Sequence, residues 1–477
     1  MATILESERR SAKARIFLAL VYSVLAVGAL TMAYPFAVML AASCSSAYDY
    51  QRHSPVVASL FDRSDRFVRS IASRFRSFPR EVYPDAPAEW TTWQSVAADR
   101  DGVRRFAERE LAPYEDAAAL EEGHRRAAAF MRSLESADQT TTVCAYDRRD
   151  VPRFLKRKYG DVERMNEVWP VPHKSFFDVS FAAESRVAPG KNREGDPKFA
   201  DWLEMKRWYV ARAIANGESV SATMPADLAA NAGEVRNALA VQFMDRGWRD
   251  FFGDALSNYA LVSEYLFVRG RAFFNTLVLV VLSVLASLTV NPLAAYALSR
   301  FRMRGTEKII LFLLATMAFP AAVTAIPGFL LLRDLGMLNT FAALVLPTVA
   351  SGMSIFILKG FFDALPRELY EAAALDGAPE WVVFLRITLP MTAPIMAVNA
   401  LNAFIHAYAS WEWAFLVCHK ESHWTLAVWM YQMSVETFSA QPWCVMAGFV
   451  LVSIPTAVVF LVCQRAILRG IVLPSLK

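Results

Sequence analysis

Residues that usually carry chemistry occur throughout this 477-residue chain, but their spacing fits no reaction. The five cysteines include no Cys-x-x-Cys pair, so neither a zinc site nor a dithiol redox site is indicated. The sequence contains no Gly-x-x-x-x-Gly-Lys-Ser/Thr loop, so it lacks that means of binding ATP. We also find no nucleophile motif and no metal-ligand spacing. We therefore predict that the chain is not an enzyme and binds no metal and no cofactor of its own.

The most informative polar segment is 362–390, which joins two apolar blocks. Pro366 suits the first turn of a helix, where its missing N–H costs nothing. Gly377 supplies the left-handed position that ends a helix. Pro379 then begins a second helix, with Trp381 among the apolar residues along it. The segment is therefore predicted to be two short helices with a tight bend, and its apolar side needs a partner that covers it.

Six apolar segments are long enough to be membrane-spanning helices, and these helices must position the loop. A membrane-spanning helix needs about 20 mostly apolar residues. The segments that qualify are 16–42, 273–298, 309–332, 341–358, 389–417 and 443–462. The first exceeds the roughly 7–15 apolar residues of a signal peptide, so an uncleaved anchor is favoured over a signal peptide or a lipoprotein signal. The predicted fold class is an all-α membrane protein with six transmembrane helices.

Positive charge in the short loops predicts the orientation. Arginine and lysine precede the first span, join the second to the third and the fourth to the fifth, and follow the sixth. These positions share one side, which predicts that both termini lie in the cytoplasm. The predicted domains are a cytoplasmic N-terminus at 1–15, a first helix at 16–43, an inserted domain at 44–268 on the outer side, and a five-helix core at 269–477. Long domains translocate largely regardless of their charge, so the arginines of the insert do not oppose this orientation.

The loop contains the pattern Glu-Ala-Ala, three residues, Gly, nine residues, Ile-x-Leu-Pro, which resembles the signature loop of bacterial ABC importer permeases. The residues that match, without a gap, are Glu371, Ala372, Ala373, Gly377, Ile387, Leu389 and Pro390. The longer string from Leu365 to Ala378, which includes Asp376, resembles the carbohydrate-uptake branch, the maltose-type permeases. The resemblance covers the first helix loosely and residues 272–463 well, but it does not cover the insert.

This resemblance implies a function and a set of partners. In that family the loop forms coupling helices that dock into a cytoplasmic ATPase dimer, which uses ATP to swing the membrane domain from inward-facing to outward-facing. The resemblance also implies a second permease chain, most simply a related but different one, and a periplasmic solute-binding protein. The chain is thus expected to carry a sugar or related small solute by alternating access across a bacterial inner membrane. Nucleic acid is not an expected partner, because the net charge of +4 is spread over many acids and bases.

Polar residues inside the fifth predicted span are candidates for the translocation path. Asn399, Asn402 and His406 are spaced by three and four residues and so share one helical face. Such groups are costly in a membrane and usually face a pathway or a partner, although hydrogen bonding between helices is the alternative. Glu412 is a further candidate, with a place at the outer interface as its alternative. Glu412 follows Trp411, where the family usually has asparagine.

The insert, 44–268, is long enough to bury a core of its own. It is predicted to be mainly helical, with a short strand at 140–144, a helix near Pro152, a second capped by Asp161 and a third capped by Asp196. We expect this domain to contact the binding protein or the partner permease, with direct sugar binding as the alternative.

Three further questions remain open at this stage. A disulfide between Cys44 and Cys144 is one, since sequence alone cannot place the two residues within bridging distance. The nature of the solute is another. The third is function class: the alternative is a membrane-anchored sensor or sugar-binding protein whose insert does the work. A secondary transporter is disfavoured, because no repeat symmetry is evident.

Overall fold

A computed structural model of the chain describes residues 12–75, 77–136, 142–144, 150–173, 176, 179, 181, 193, 195–215, 223–225, 227–268, 271–301, 305–316, 320–437 and 441–471. They form helices and one two-stranded sheet. The chain divides into two compact units, Met1–Leu261 with Gln441–Ala447, and Val262–Ala440 with Gly448–Lys477.

The first unit contains the first apolar helix and the insert. Its elements are α1 (Ala12–Ser43), α2 (Ala47–Tyr50), α3 (Arg63–Ala72), α4 (Trp93–Ala98), α5 (Arg100–Leu111), α6 (Ala117–Ser136), β1 (Thr142–Cys144), α7 (Asp150–Tyr159), α8 (Val162–Val168), α9 (Pro197–Ala215), β2 (Thr223–Pro225) and α10 (Ala232–Ser263), the last of which ends in the second unit. β1 and β2 pair antiparallel, with Val143 opposite Met224. The prediction of a mainly helical insert with a short strand is confirmed.

Aspartate caps set the local structure around α8 and α9, as the sequence indicates. The carboxylate of Asp161 accepts the backbone N–H of Arg164 at 2.9 Å and so caps α8. The carboxylate of Asp196 accepts the N–H groups of Lys198 and Phe199, which lie in the first turn of α9. These caps satisfy donors that have no partner inside the helix.

The insert has two apolar clusters. The first is aromatic: Trp90 lies edge-on to Phe78 and Phe106, with ring centroids 5.2 and 5.4 Å apart. The second is formed by α7, α8 and α9 and surrounds the buried carboxylate of Asp201. Two separate cores explain how so long a segment between two membrane helices folds.

Cys44 is a free thiol next to the end of α1. The disulfide with Cys144 that the sequence left open is therefore absent from the structure. The side chain of Cys144 lies outside the described residues.

The second unit contains most of the remaining apolar helices. Its elements are α11 (Ala272–Arg300), α12 (Thr306–Thr316), α13 (Ala321–Asp334), α14 (Phe341–Val345), α15 (Gly352–Asp363), α16 (Arg367–Leu375), α17 (Glu380–Val383), α18 (Leu389–Met391), α19 (Ala393–Ala409), α20 (Trp411–Val417), α21 (Leu426–Gln432) and α22 (Pro442–Ile471), which begins in the first unit. Single π-helical turns follow α10 at Glu264–Val268 and α21 at Met433–Thr437, and a third, Phe384–Thr388, joins α17 to α18.

Three helices of the described chain are long and apolar enough to cross a membrane: Ile16–Ser43, Ala272–Arg300 and Pro442–Gln464. Two bent pairs also qualify if each is one span. Phe341–Thr348 and Gly352–Asp363 meet at 52°, and Glu380–Met391 and Ala393–Ala409 meet at 85°. The described helices therefore supply up to five spans by length and composition.

Three predicted spans are not the continuous helices that the sequence indicated, and the first of them, 341–358, is the pair bent by 52°. The segment 309–332 consists of α12 and α13, with Pro320 capping the second, where a helix readily begins after a proline. The segment 389–417 is divided at Ser410, whose backbone is not helical, so α19 and α20 are separate. Apolar composition predicted the extent of these segments. Pro320 indicated a kink in 309–332, whereas no residue type marked the break at Ser410.

Candidate functional site

The predicted loop 362–390 is a pair of short helices around a glycine turn. α16 ends at Leu375, and Gly377 adopts a φ of +70°. The N–H of Gly377 bonds to the carbonyl of Ala374 at 3.1 Å, and the N–H of Ala378 bonds to the carbonyl of Ala373 at 3.0 Å. This pattern closes the helix end and needs a left-handed residue, which only glycine adopts without strain.

The second helix of the pair leads directly into the membrane helix that follows. α17 starts after Pro379 and continues through a wide turn into α18. The chain then bends by 85° before α19. The short helices are therefore connected to α19 by an unbroken backbone.

Side-chain contacts attach both short helices to the end of α11. The hydroxyl groups of Tyr370 and Thr388 lie 3.2 Å apart and join one short helix to the other. The guanidinium of Arg300 lies 3.4 Å from the centroid of the Tyr370 ring. The hydroxyl of Tyr296, one turn earlier on α11, donates to the carboxylate of Glu380. The pair is thus held as one body against α11.

An apolar interior and an apolar exterior lie on opposite sides of this pair. Val383 and Phe384 are buried in a cluster that also includes residues of α11 and α15. By contrast, the side chains of Leu375 and Trp381 are 89% and 66% exposed, and Leu385 is 50% exposed. Large apolar side chains at this level of exposure near one loop are candidates for a protein contact.

The structure places the predicted coupling residues in three environments. The exposed residues are Glu371, Ala372, Asp376, Gly377 and Pro390, the half-buried ones are Ile387 and Leu389, and Ala373 is buried. Four of the exposed residues lie on α16 or at the glycine turn that ends it, whereas Pro390 lies on α18. The other three pack within their own unit. The sequence motif thus mixes residues available to a partner with residues that hold the helices in place.

The three polar residues predicted to share one face of the fifth span do not share one environment. Asn399 is buried, and its side-chain amide donates to the carbonyl of Ser287 on α11 at 3.4 Å. Asn402 and His406 are exposed and have no hydrogen-bond partner among the described residues. Asn399 therefore fits the alternative of helix–helix hydrogen bonding, and only Asn402 and His406 are open to a pathway.

Glu412 is exposed and lies in the first turn of α20, beyond the break at Ser410. It therefore belongs to a different helix from His406. Among the described residues, no group of three or more His, Cys, Asp or Glu side chains is arranged to hold a metal ion.

The sequence interpretation missed the side chains that hold the loop in place. It gave no role to Tyr296, Arg300 or Tyr370, although each is a large side chain that can make a polar contact near a predicted helix end. It also missed that Asn275 and Asn291 join helices. Asn275 donates to the carbonyls of Ser422 and Trp424, and Asn291 accepts the N–H of Ser351 at 2.9 Å. Amides within apolar segments were the available signal.

The second half of the chain matches a known protein family. Residues 291–472 match the family described as the inner membrane component of binding-protein-dependent transport systems. The matched range includes the whole of 362–390 and excludes the insert.

Individual relatives agree with that match. The diacetylchitobiose uptake system permease protein of Streptomyces coelicolor is 31% identical over 201 residues, covering 42% of this chain and 67% of that protein. The lactose transport system permease protein of Rhizobium radiobacter is 30% identical over 198 residues, covering 42% and 72%. The sn-glycerol-3-phosphate permease protein of Yersinia enterocolitica is 31% identical over 204 residues, covering 43% and 73%. A solved bacterial ABC transporter for alginate import is 27% identical at a TM-score of 0.40, covering 44% of this chain and 78% of its own.

Proposed function

Because the chain belongs to the family of inner-membrane components of binding-protein-dependent ABC importers, we propose that it moves a sugar or related small solute across that membrane by alternating access. As a permease subunit, the chain is not an enzyme. Two of the relatives above are named for uptake of diacetylchitobiose and lactose, which supports a carbohydrate as the solute class.

The observation that carries the proposal is the exposed apolar surface on the helix pair 367–390. Leu375 and Trp381 project from a body that Arg300 and Tyr296 fix to α11. A rigid pair with an uncovered tryptophan suits insertion into a cleft of an ATPase subunit. The unbroken connection to α19 then transmits the closure of the ATPase dimer to the membrane helices.

The partners of this chain follow from the same proposal. They are a cytoplasmic ATPase dimer that uses the ATP, a second permease subunit, and a periplasmic solute-binding protein. The exposed Asn402 and His406 are one helical turn apart and are offered as part of the path that the two permease subunits enclose. Asn399 is left out of that path because α11 covers it.

The proposed topology has six spans, with both termini in the cytoplasm. The positively charged short loops support this orientation. α12 and α13 together would form the sixth span, since neither is long enough alone. The segment 44–268 would then be a domain on the periplasmic side.

The test is retention of the candidate ATPase during purification from membranes. Trp381→Ala and Leu375→Ala remove the exposed apolar contact, and we expect ATPase binding to weaken by at least about tenfold for Trp381→Ala, because buried tryptophans dominate interface energies. The second measurement is ATP hydrolysis stimulated by the loaded binding protein, which should fall in parallel.

Leu335→Ala is the matched control, because Leu335 is an exposed leucine at the end of α13, on the opposite side of the proposed membrane. It should retain wild-type ATPase binding. Failure of the wild type to retain any ATPase, or equal retention by wild type and Trp381→Ala, would refute the docking role.

A further inference from the structure

The insert contains a cavity of about 350 Å³ whose lining is unusually rich in arginine. Three elements form its wall: the segment after α2, the start of α3, and the first two turns of α5. The volume falls at the small end of the range for ligand sites, roughly 300–1,000 Å³. This cavity lies outside the region that matches the transporter family.

Arginine side chains outnumber carboxylates in the lining of this cavity, by three to two. Both carboxylates in its lining are engaged: Asp65 accepts both terminal nitrogens of Arg52, at 2.7 and 2.6 Å, and Asp62 caps α3 through the N–H of Ser64 at 2.7 Å. Arg100 has no hydrogen-bond or ion-pair partner among the described residues.

Two further guanidinium groups add to this surplus. Arg104 uses its Nε to bond Glu108 at 2.9 Å, and its side chain is 74% exposed. Arg52 has a buried Nε–H with no acceptor, in a side chain that is only 8% exposed. The excess of positive charge in this lining favours a ligand with a negatively charged acceptor.

Arg100 and Arg104 present their side chains on one face of α5, because they are four residues apart. Guanidinium groups match the planar geometry of carboxylate and phosphate oxygens. Across the cavity, the side chains of Phe61 and Val56 are 76% and 48% exposed and supply an apolar surface. A ligand that fits has a small ring with one anionic substituent.

The floor of the cavity is connected to α1 by buried charges. Asp65 and Arg69 are one turn apart on α3. Arg69 bonds the carboxylate of Asp49 at 2.7 Å and the carbonyl of Cys44, directly after α1, at 2.9 Å. Asp65 and Arg69 on α3 thus connect the floor of the cavity to the residue that follows α1.

We propose that the insert binds a small anionic solute, a sugar acid or a sugar phosphate, whose charged group lies between Arg100 and Arg104 with its ring against Phe61. The site rests on the proposed function only in the choice of a sugar as the body of the ligand. When this site is occupied, the inserted domain takes part in recognising the solute.

The experiment is titration calorimetry on the full chain in nanodiscs, without ATPase, using glucuronate, glucose 6-phosphate, glucose and inorganic phosphate. We expect at least one of the two anionic sugars to bind, and glucose to bind at least about tenfold more weakly, since a charge-assisted hydrogen bond is lost. Arg100→Gln combined with Arg104→Gln should weaken the anionic ligand by more than tenfold, and Phe61→Ala should weaken it less.

Arg105→Gln is the matched control, because Arg105 is an exposed arginine on α5 that does not line the cavity. It should leave binding unchanged. Arg100 is the first residue of α5 and Arg104 makes only an exposed pair with Glu108, so the double variant should keep its melting temperature.

Three results would overturn the site: no binding of either anionic sugar, equal binding of glucose, or unchanged binding in the double variant. Inorganic phosphate that binds as tightly as glucose 6-phosphate would overturn the assignment of a sugar. Because the titration contains no ATPase, failure of the coupling proposal leaves this result unaffected, and the reverse also holds.

Discussion

The insert and the membrane core bury different kinds of polar side chain. Among described residues, the buried polar set of the insert includes the charged residues Asp49, Asp65, Arg69, Asp201 and Lys206. The corresponding set in the core after residue 271 is uncharged: Asn275, Thr276, Ser287, Asn291, Thr388, Thr392, Asn399 and Thr425. Both regions are helical, so the contrast reflects the surroundings in which each region folds.

The physical reason lies in the cost of charge. A domain in water can bury an ion pair if the geometry is good and further hydrogen bonds complete it, as for Arg69 with Asp49 and the carbonyl of Cys44. A charge within the hydrocarbon is expensive, and neutral amides and hydroxyls join membrane helices instead. Asn291, which accepts the N–H of Ser351, is an example.

Arg69→Ala should have the largest effect, and it acts on the insert alone. It leaves the carboxylate of Asp49, 2% exposed, without its cation, so we expect the insert to lose about 3–5 kcal/mol of stability. Amide hydrogen exchange in the full chain should rise throughout α3. Arg125→Ala is the control: the side chains of Arg125 and its partner Glu122 are 70% and 56% exposed, and the change should stay within about 0.5 kcal/mol. Similar exchange in the two variants would remove the contrast between the regions.

Gly352→Ala should have an intermediate effect, confined to the core. A Cβ there would lie 2.6 Å from the carbonyl oxygen of Leu313, on the neighbouring α12. Overpacking of this kind costs about 1–3 kcal/mol, which should appear as a lower unfolding temperature in detergent. Gly360→Ala, on the same helix with no atom within 4 Å, should be neutral or slightly stabilising. A neutral Gly352→Ala would mean that α12 and α15 do not approach so closely.

Tyr159→Phe should have the smallest effect and a characteristic pH dependence. Burial, together with the hydrogen bond from the Tyr159 hydroxyl to Asp201 at 2.6 Å, raises the pKa of Tyr159 to about 12. At neutral pH the loss of this bond should cost about 0.5–1.5 kcal/mol.

The sign of that pH dependence follows from the raised pKa. The fold favours the neutral phenol, so its contribution is fully present below the ordinary pKa of about 10 and is lost as the pH rises toward 12. Tryptophan fluorescence unfolding of wild type and Tyr159→Phe should therefore converge between pH 10 and 12. Parallel curves across that range would show that Tyr159 does not contribute in this way.

The apolar segments were predictable because a span of lipid thickness demands a long apolar run. For example, the span predicted at 273–298 corresponds to the helix Ala272–Arg300 in the structure. Pro320 indicated a kink where α13 begins, but the break at Ser410 was not predictable, because it depends on how helices pack in three dimensions. The ion pairs of the insert were equally hidden: nothing among 50 basic and 46 acidic residues marks Arg69 as the one that is desolvated.

In the candidate site, too, some features were predictable from the sequence and others were not. Gly377 was predictable, since its left-handed turn follows from local backbone sterics. The separation of Asn399 from Asn402 was not, because residue spacing defines the face of a helix but not where its neighbour α11 lies.

The 85° bend between α18 and α19 joins two helical arms of unequal length. At 1.5 Å per residue, the arm Glu380–Met391 is roughly 18 Å long and the arm Ala393–Ala409 roughly 26 Å. If the two arms turn as one body about Thr392, a shift of the tip near Trp381 produces a shift about 1.4 times larger at the far end of α19, by this same helix geometry.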